Sequence, residues 1–284
     1  MDKEEKEKEL VESEKGFKRV RDQIKTHKGS FALYLILRGA IIVVMILNIL
    51  GKDWQNVAIC IASLGLFLTP GFIESKWHVR ISDTLTNIIL LFIFAAEVLG
   101  EIGAFYVMIP WWDTMLHTLS GFLIAGVGFS LVHLLNDNKR ILFSLSPFFI
   151  VLTAFCFSMT VGVFWEFIEF SSDQLWGVDM QKDTVVHEIS SVLLDPAGGN
   201  RPYRIDDITS TVVNGEQLPI DGYLDIGLID TMNDLTVCCI GAGVFCVIGY
   251  ASMKKGEKSE FMEQFIVEKE PKAKRKRRKK GGNA

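Results

Sequence analysis

WWDTMLHTLSGFL (111–123) sets Asp113 and His117 four residues apart inside an otherwise apolar run. FWEFIEF (164–170) sets Glu166 and Glu169 three apart, and DTMNDL (230–235) sets Asp230 and Asp234 four apart. Residues three or four apart share one face of a helix. Ionisable groups inside a run apolar enough for a membrane are costly to bury and belong to functional sites by default. The three faces are expected to meet near one side of a membrane as a polar site.

The rest of the chain supplies that membrane. Of 284 residues 49% are hydrophobic, with mean hydropathy +0.27, and the apolar residues are gathered into runs rather than spread as in a soluble core. A spanning helix needs about 20 predominantly apolar residues. Six segments qualify: 31–50, 54–73, 84–108, 113–135, 142–170 and 227–252. Pro70 and Gly71 are expected to close the second. The first carries only Arg38, close enough to its start to snorkel. The expected fold is an all-α, six-transmembrane-helix bundle, a multi-pass protein of the cell membrane.

The formal charge of -4 hides an uneven distribution of lysine and arginine. Nine lie in residues 1–30 and twelve after residue 252, with Lys76, Arg80, Lys139 and Arg140 in the connections that share their side. The other side holds only Lys52, Lys182, Arg201 and Arg204. By the positive-inside rule both termini are expected in the cytoplasm. The first 30 residues are densely charged and no small-residue cleavage site follows the run that starts at Phe31, so that run is expected to stay as an anchor. Residues 1–30 read as a charged cytoplasmic segment, either a surface helix or disorder. Residues 253–284 read as a polybasic cytoplasmic tail whose basic part, 269–280, is a solvated topology signal or a contact for anionic lipid, with no nucleic-acid partner expected. Cys60, Cys156, Cys238, Cys239 and Cys246 all sit in apolar runs, so no disulfide framework or thiolate metal site is implied.

Residues 171–226 form the one long extramembrane connection, expected as a small cap of helix plus β-hairpin between the fifth and sixth spans. VVHEISSVLL (185–194) has apolar spacing that suits an amphipathic helix. Asn214-Gly215 between TSTVV and EQLPI predicts a hairpin turn.

With this orientation Asp113 and His117 enter at the outer end of the fourth span, Glu166 and Glu169 fall in the last turns of the fifth, and Asp230 and Asp234 open the sixth. Glu97 and Glu101 lie in the outer half of the third. Asp113 and Asp230 are equally well placed as N-caps. Glu166 and Glu169 near a helix C-terminus would need a compensating cation, proton or donor. Together the groups cannot all be charged in low dielectric without a counter-ion, so protons are retained or a divalent cation is held. An oxygen-rich set with one imidazole suits Mg, Mn, Ca or Zn without choosing among them. Gly121, Ala125, Gly128, Gly241 and Gly243 are small enough to let helices close up around the site.

The combination D-x3-H-x3-G (Asp113, His117, Gly121), W-E-x2-E (Trp165, Glu166, Glu169) and D-x3-D-x6-G-A (Asp230, Asp234, Gly241, Ala242) resembles the YjdF-like family of multi-pass prokaryotic membrane proteins, whose function is uncharacterised. More distantly the order is similar to the VanZ-like family, linked to glycopeptide resistance and envelope surfaces, with Cys238 standing where that pattern has Asn. The resemblance implies a shared polar site and no particular reaction. Three roles stay open: an enzyme acting on an envelope or lipid-linked substrate, with these five acids and His117 as catalytic or metal residues; a proton- or cation-coupled transporter; and a structural or partner-binding membrane protein.

Overall fold

The computed structural model describes residues 28–77, 79–136, 145–255 and 260–269. Among these residues six helices are long and apolar enough to cross a membrane: Phe31–Gly51, Trp54–Trp77, Asp83–Ile102, Trp112–Val132, Pro147–Trp176 and Leu228–Lys255. Most of the charged N-terminal segment, Lys139, Arg140 and the basic run of the tail lie outside the described residues.

Helix α1 (Lys28–Gly51) is the first span. The second is divided into α2 (Trp54–Leu66) and α3 (Thr69–Trp77), so Pro70 and Gly71 open α3 instead of closing the span. The reason is that proline needs no hydrogen-bonded N–H in a helix's first turn and its fixed φ suits that position. After the short strand β1 (Val79–Arg80), α4 (Asp83–Ile93) runs into a π-helical stretch, Phe94–Ile102. Ala104 then takes φ 57° and the chain restarts as α5 (Phe105–Met108). The unbroken helix expected over 84–108 is therefore replaced by three pieces, because a left-handed residue cannot continue an α-helix.

Helices α6 (Trp112–Asn136), α7 (Pro147–Trp176) and α8 (Leu228–Lys255) follow. Ser146 caps α7 by accepting from Phe149 N, Pro147 occupies its first turn, and Gly177 ends it at φ 61°. The fifth span thus continues past its expected end at 170 through the polar residues SSDQLW, which are helical although not apolar. Glu166 and Glu169 stand ten and seven residues short of Trp176, well inside α7 and not in its last turns. The macrodipole argument loses its force there, since the effect fades within a turn.

The α6–α7–α8 trio is the centre of the bundle, and glycines decide how closely it packs. A Cβ on Gly121 would collide with the Cys238 carbonyl, and one on Gly241 with the Thr118 carbonyl. The two backbones touch at this crossing, the small-residue mode of membrane helix packing. Ser158 on α7 joins it by donating to the Gly121 carbonyl at 2.8 Å. Gly243, also expected to serve packing, faces open space. Beside the trio, α1, α2, α4 and the π-helical stretch share a second cluster around Ile41, Cys60, Phe67 and Leu90, while Leu35, Ile36, Leu47 and Leu50 face outward as lipid-facing residues should.

The connection between α7 and α8 carries the cap. Its expected helix over 185–194 is absent: β2 (Val185–Val186) and β3 (Ile189–Ser191) lead into a single 3-10 turn, Val192–Leu194. The β-branched Val185, Val186 and Ile189 favour extended backbone, and partners are at hand. β3 pairs antiparallel with β4 (Tyr203–Ile205), and β2 with β7 (Tyr223–Leu224). Between these lies the expected hairpin, β5 (Val212–Val213) with β6 (Glu216–Gln217). Its turn residues Asn214 and Gly215 both have positive φ, 55° and 90°, as a two-residue type I′ turn demands.

At the opposite end the chain does something its basic composition conceals. Helix α9 (Glu260–Glu263) and strand β8 (Glu268–Lys269) return to the bundle, β8 pairing with β1. Met262 and Phe265 are buried with Phe129 and Phe245 in the main core. Val267 N donates to Ser130 Oγ at 2.6 Å. Residues 260–269 are thus packed structure, which their place in the polybasic tail did not foretell.

The backbone contact makes a stability prediction. Gly121→Ala and Gly241→Ala should each destabilise the detergent-solubilised protein by about 1–3 kcal/mol through overpacking. Gly243→Ala should be neutral or stabilising by up to about 1 kcal/mol, since alanine is the better helix former. Thermal unfolding of the three variants checks this. Equal melting temperatures would contradict the crossing.

Candidate functional site

Three helices deliver the charged groups to one level at the cap end. On α6, Asp113 and His117 lie one turn apart, with Asp113 Oδ1 3.5 Å from His117 Nε2. On α8, Asp234 Oδ2 is 3.6 Å from the same nitrogen. On α7, Glu166 Oε1 is 4.0 Å from His117 Nδ1, the other side of the ring. His117 therefore stands between two groups of acids. One ligand atom each from Asp113, His117 and Asp234 lie within 4.8 Å of one another, and so do one each from Glu166, Glu169 and Asp234. These are the expected residues, brought together from 113 to 234 in the sequence.

Asp230 is the exception among the six. Its Oδ2 accepts from Lys182 N at 2.9 Å, tying the cap to the start of α8. It does not cap its own helix either: Asp225 fills that role, accepting from Ile229 N at 2.6 Å and from Thr184 N at 2.8 Å. Asp173 performs the matching task at the end of α7, accepting from Met180 N and Gln181 N at 2.7 and 2.9 Å. Acids at both ends of the cap thus hold its root over the cluster.

Glu166, Glu169 and Asp234 are 4%, 7% and 3% exposed, and each has one carboxylate oxygen with no hydrogen-bond partner among the described residues. A buried carboxylate oxygen left without a donor is costly. Glu169 has its other oxygen satisfied by Trp165 Nε1 at 2.7 Å, one turn back on α7. All three border a cavity of about 680 Å³ enclosed between the trio, α2, the π-helical stretch and the cap. Seven acids line it, Glu97 and Glu101 among them, against one lysine, Lys182. Its other wall is apolar, with Ile59, Phe92, Ile93 and Ile124. The rim repeats the sign of the interior: at the cap's root, burial and the charges of Asp179, Asp225 and Asp173 hold the Asp183 carboxyl above the usual range.

Away from the cap the helices draw together. The contact of Gly121 with Cys238 lies directly beyond His117 along α6, and past it Phe122, Phe245 and Phe265 meet edge to face with centroids 5.1–5.8 Å apart.

Sequence reasoning read Trp165 only as a motif residue and gave Lys182, Tyr106 and Ser158 no role in the site. The first was legible, because Trp165 and Glu169 are i and i+4 on one helix. The lysine acts through its backbone amide, which carries no residue-specific signal. Tyr106 lines the cavity only because the third span breaks at Ala104.

Six apolar spans around a buried acid and histidine cluster define an integral membrane protein. The family model described as "Predicted membrane protein (DUF2238)" matches residues 33–255, and the chain belongs to that family, whose function is uncharacterised. No curated protein and no solved structure matches the chain.

If Trp165 orients Glu169, Trp165→Phe strands that oxygen and should cost about 1–3 kcal/mol. Trp176→Phe, at an exposed tryptophan of the same helix, should change little. The pair of melting temperatures measures the difference, and equal losses would remove the role given to the indole.

Proposed function

We propose that this protein is a divalent-cation-dependent membrane enzyme acting on a lipid-linked or envelope substrate. The observation that carries the reading is the spacing around His117 Nε2. Its separations of 3.5 and 3.6 Å from Asp113 and Asp234 oxygens exceed a good hydrogen bond, about 2.7–3.2 Å. They match instead the separation of two ligands each about 2.1 Å from one ion. Asp113, His117 and Asp234 would hold the cation, and Glu166 and Glu169 would serve as acid and base or as further ligands. The cavity, acidic on one wall and apolar on the other, suits a substrate with a polar head and a hydrocarbon body, and its volume lies in the range of small-molecule sites.

Transport would require polar groups continuing through the bundle. The aromatic packing beyond the glycine crossing favours a site reached from one side. The basic-residue distribution supports placing that side outside the cytoplasm, in the cell membrane, with the tail near anionic lipid. The three motifs support the YjdF-like likeness as the finer family assignment.

Metal analysis of the purified protein should find bound divalent cation, and His117→Ala should weaken binding at least about 100-fold, beyond what changing an outer-shell partner does. The metal-loaded protein should convert a component of a total envelope lipid extract, followed by mass spectrometry, and His117→Ala should not. Equal turnover by both would end the enzymatic reading. For orientation, alkaline phosphatase fused within the cap near residue 199 should be active, and a fusion at the C-terminus inactive. The reverse pattern would place the site on the cytoplasmic side.

A further inference from the structure

We propose that the cluster holds two divalent cations side by side, with Asp234 as the carboxylate that bridges them. The inference rests on the cation reading above and extends it with a second position. Asp234 belongs to both three-residue groups, one with Asp113 and His117, the other with Glu166 and Glu169. A carboxylate shared in this way, coming from a third helix between two ligand sets, is how paired metal sites about 3.5–4 Å apart are built in helical bundles.

The second position has its own evidence, apart from the acids merely being close. Glu166 and Glu169 are each more than nine-tenths buried, border the same cavity, and each presents an oxygen, Oε2, with no donor among the described residues. A cation at Asp113 and His117 leaves Glu166 Oε2 and Glu169 Oε2 unanswered, because that ion sits on the Nε2 side of the imidazole while Glu166 faces Nδ1. Trp165 already holds Glu169 Oε1, which fixes the carboxylate as an outer-shell donor fixes a ligand.

Charge leads to the same count. With His117 neutral, as a metal ligand must be, the ionised carboxylates of Asp113, Glu166, Glu169 and Asp234 sum to -4. One divalent cation leaves -2 in a low-dielectric site, and two leave none. Lys182 is the one basic side chain lining the cavity among the described residues, and its Nζ lies 4.0 Å from Asp179. Protein cations therefore do not supply the missing charge.

The full-length protein in detergent, stripped with chelator and titrated with Mn2+, tests the pair. Two Mn2+ per chain with an exchange-coupled electron paramagnetic resonance signal are expected. The double variant Glu166→Gln, Glu169→Gln should bind one, with the coupling lost, while keeping a monodisperse elution profile and the wild-type circular dichroism. A single uncoupled Mn2+ in the wild-type protein would overturn the pair while leaving the one-cation reading standing. No bound Mn2+ would overturn both. Two coupled ions in the double variant would overturn the assignment of the second position to α7.

Discussion

At Gly121 and Gly241 the backbones of α6 and α8 run against each other with no side chain between them. One turn toward the cap on α6 is His117, and two turns toward the cap on α8 is Asp234. Because the crossing sets the distance between helix axes, it also sets the 3.6 Å between these two side chains. Ser158 binds α7 into the same junction, and two turns further along α7 comes Glu166. The polar cluster is thus positioned by an apolar device, close packing of small residues, which is the principal means of helix association where lipid removes the hydrophobic driving force.

That rigidity is what allows so many acids to be assembled. Carboxylates buried together repel one another and lose their hydration, and a pliable bundle would let them move apart toward water. Here the junction lies on one side and the cap's root on the other. The cap is tied by Asp173 and Asp225, whose oxygens accept backbone amides of residues 180, 181, 184 and 229. Like charges held together in this way call for neutralisation, by retained protons or by a cation.

The opposite end of the bundle is built on a different principle. Phe265 and Met262 enter the core from beyond α8 and pack with Phe129 and Phe245. Gly126 provides the room, since a Cβ there would press on Phe265. Residues 260–269 close the bundle at that end, as the cap covers it at the other.

The six spans, the acid and histidine faces and the Asn214-Gly215 hairpin were legible in the sequence because each is a local pattern: run length, helical period, turn chemistry. The acids and the histidine that cluster at the cap end were legible as candidates for the same reason. What the pattern could not supply was any quantity depending on two distant segments. The strands in place of a helix at 185–194 and the return of residues 260–269 both depend on partners far away in the chain. Asp230 illustrates the limit: in sequence it stands beside Asp234 as an equal, and only the fold of the cap, by presenting the Lys182 amide, gives it a different task. The sequence by itself determined which groups could meet at the cap end, and the tertiary structure decided which of them do, because separations of a few ångströms between helices are set by backbone contacts that no helical period encodes.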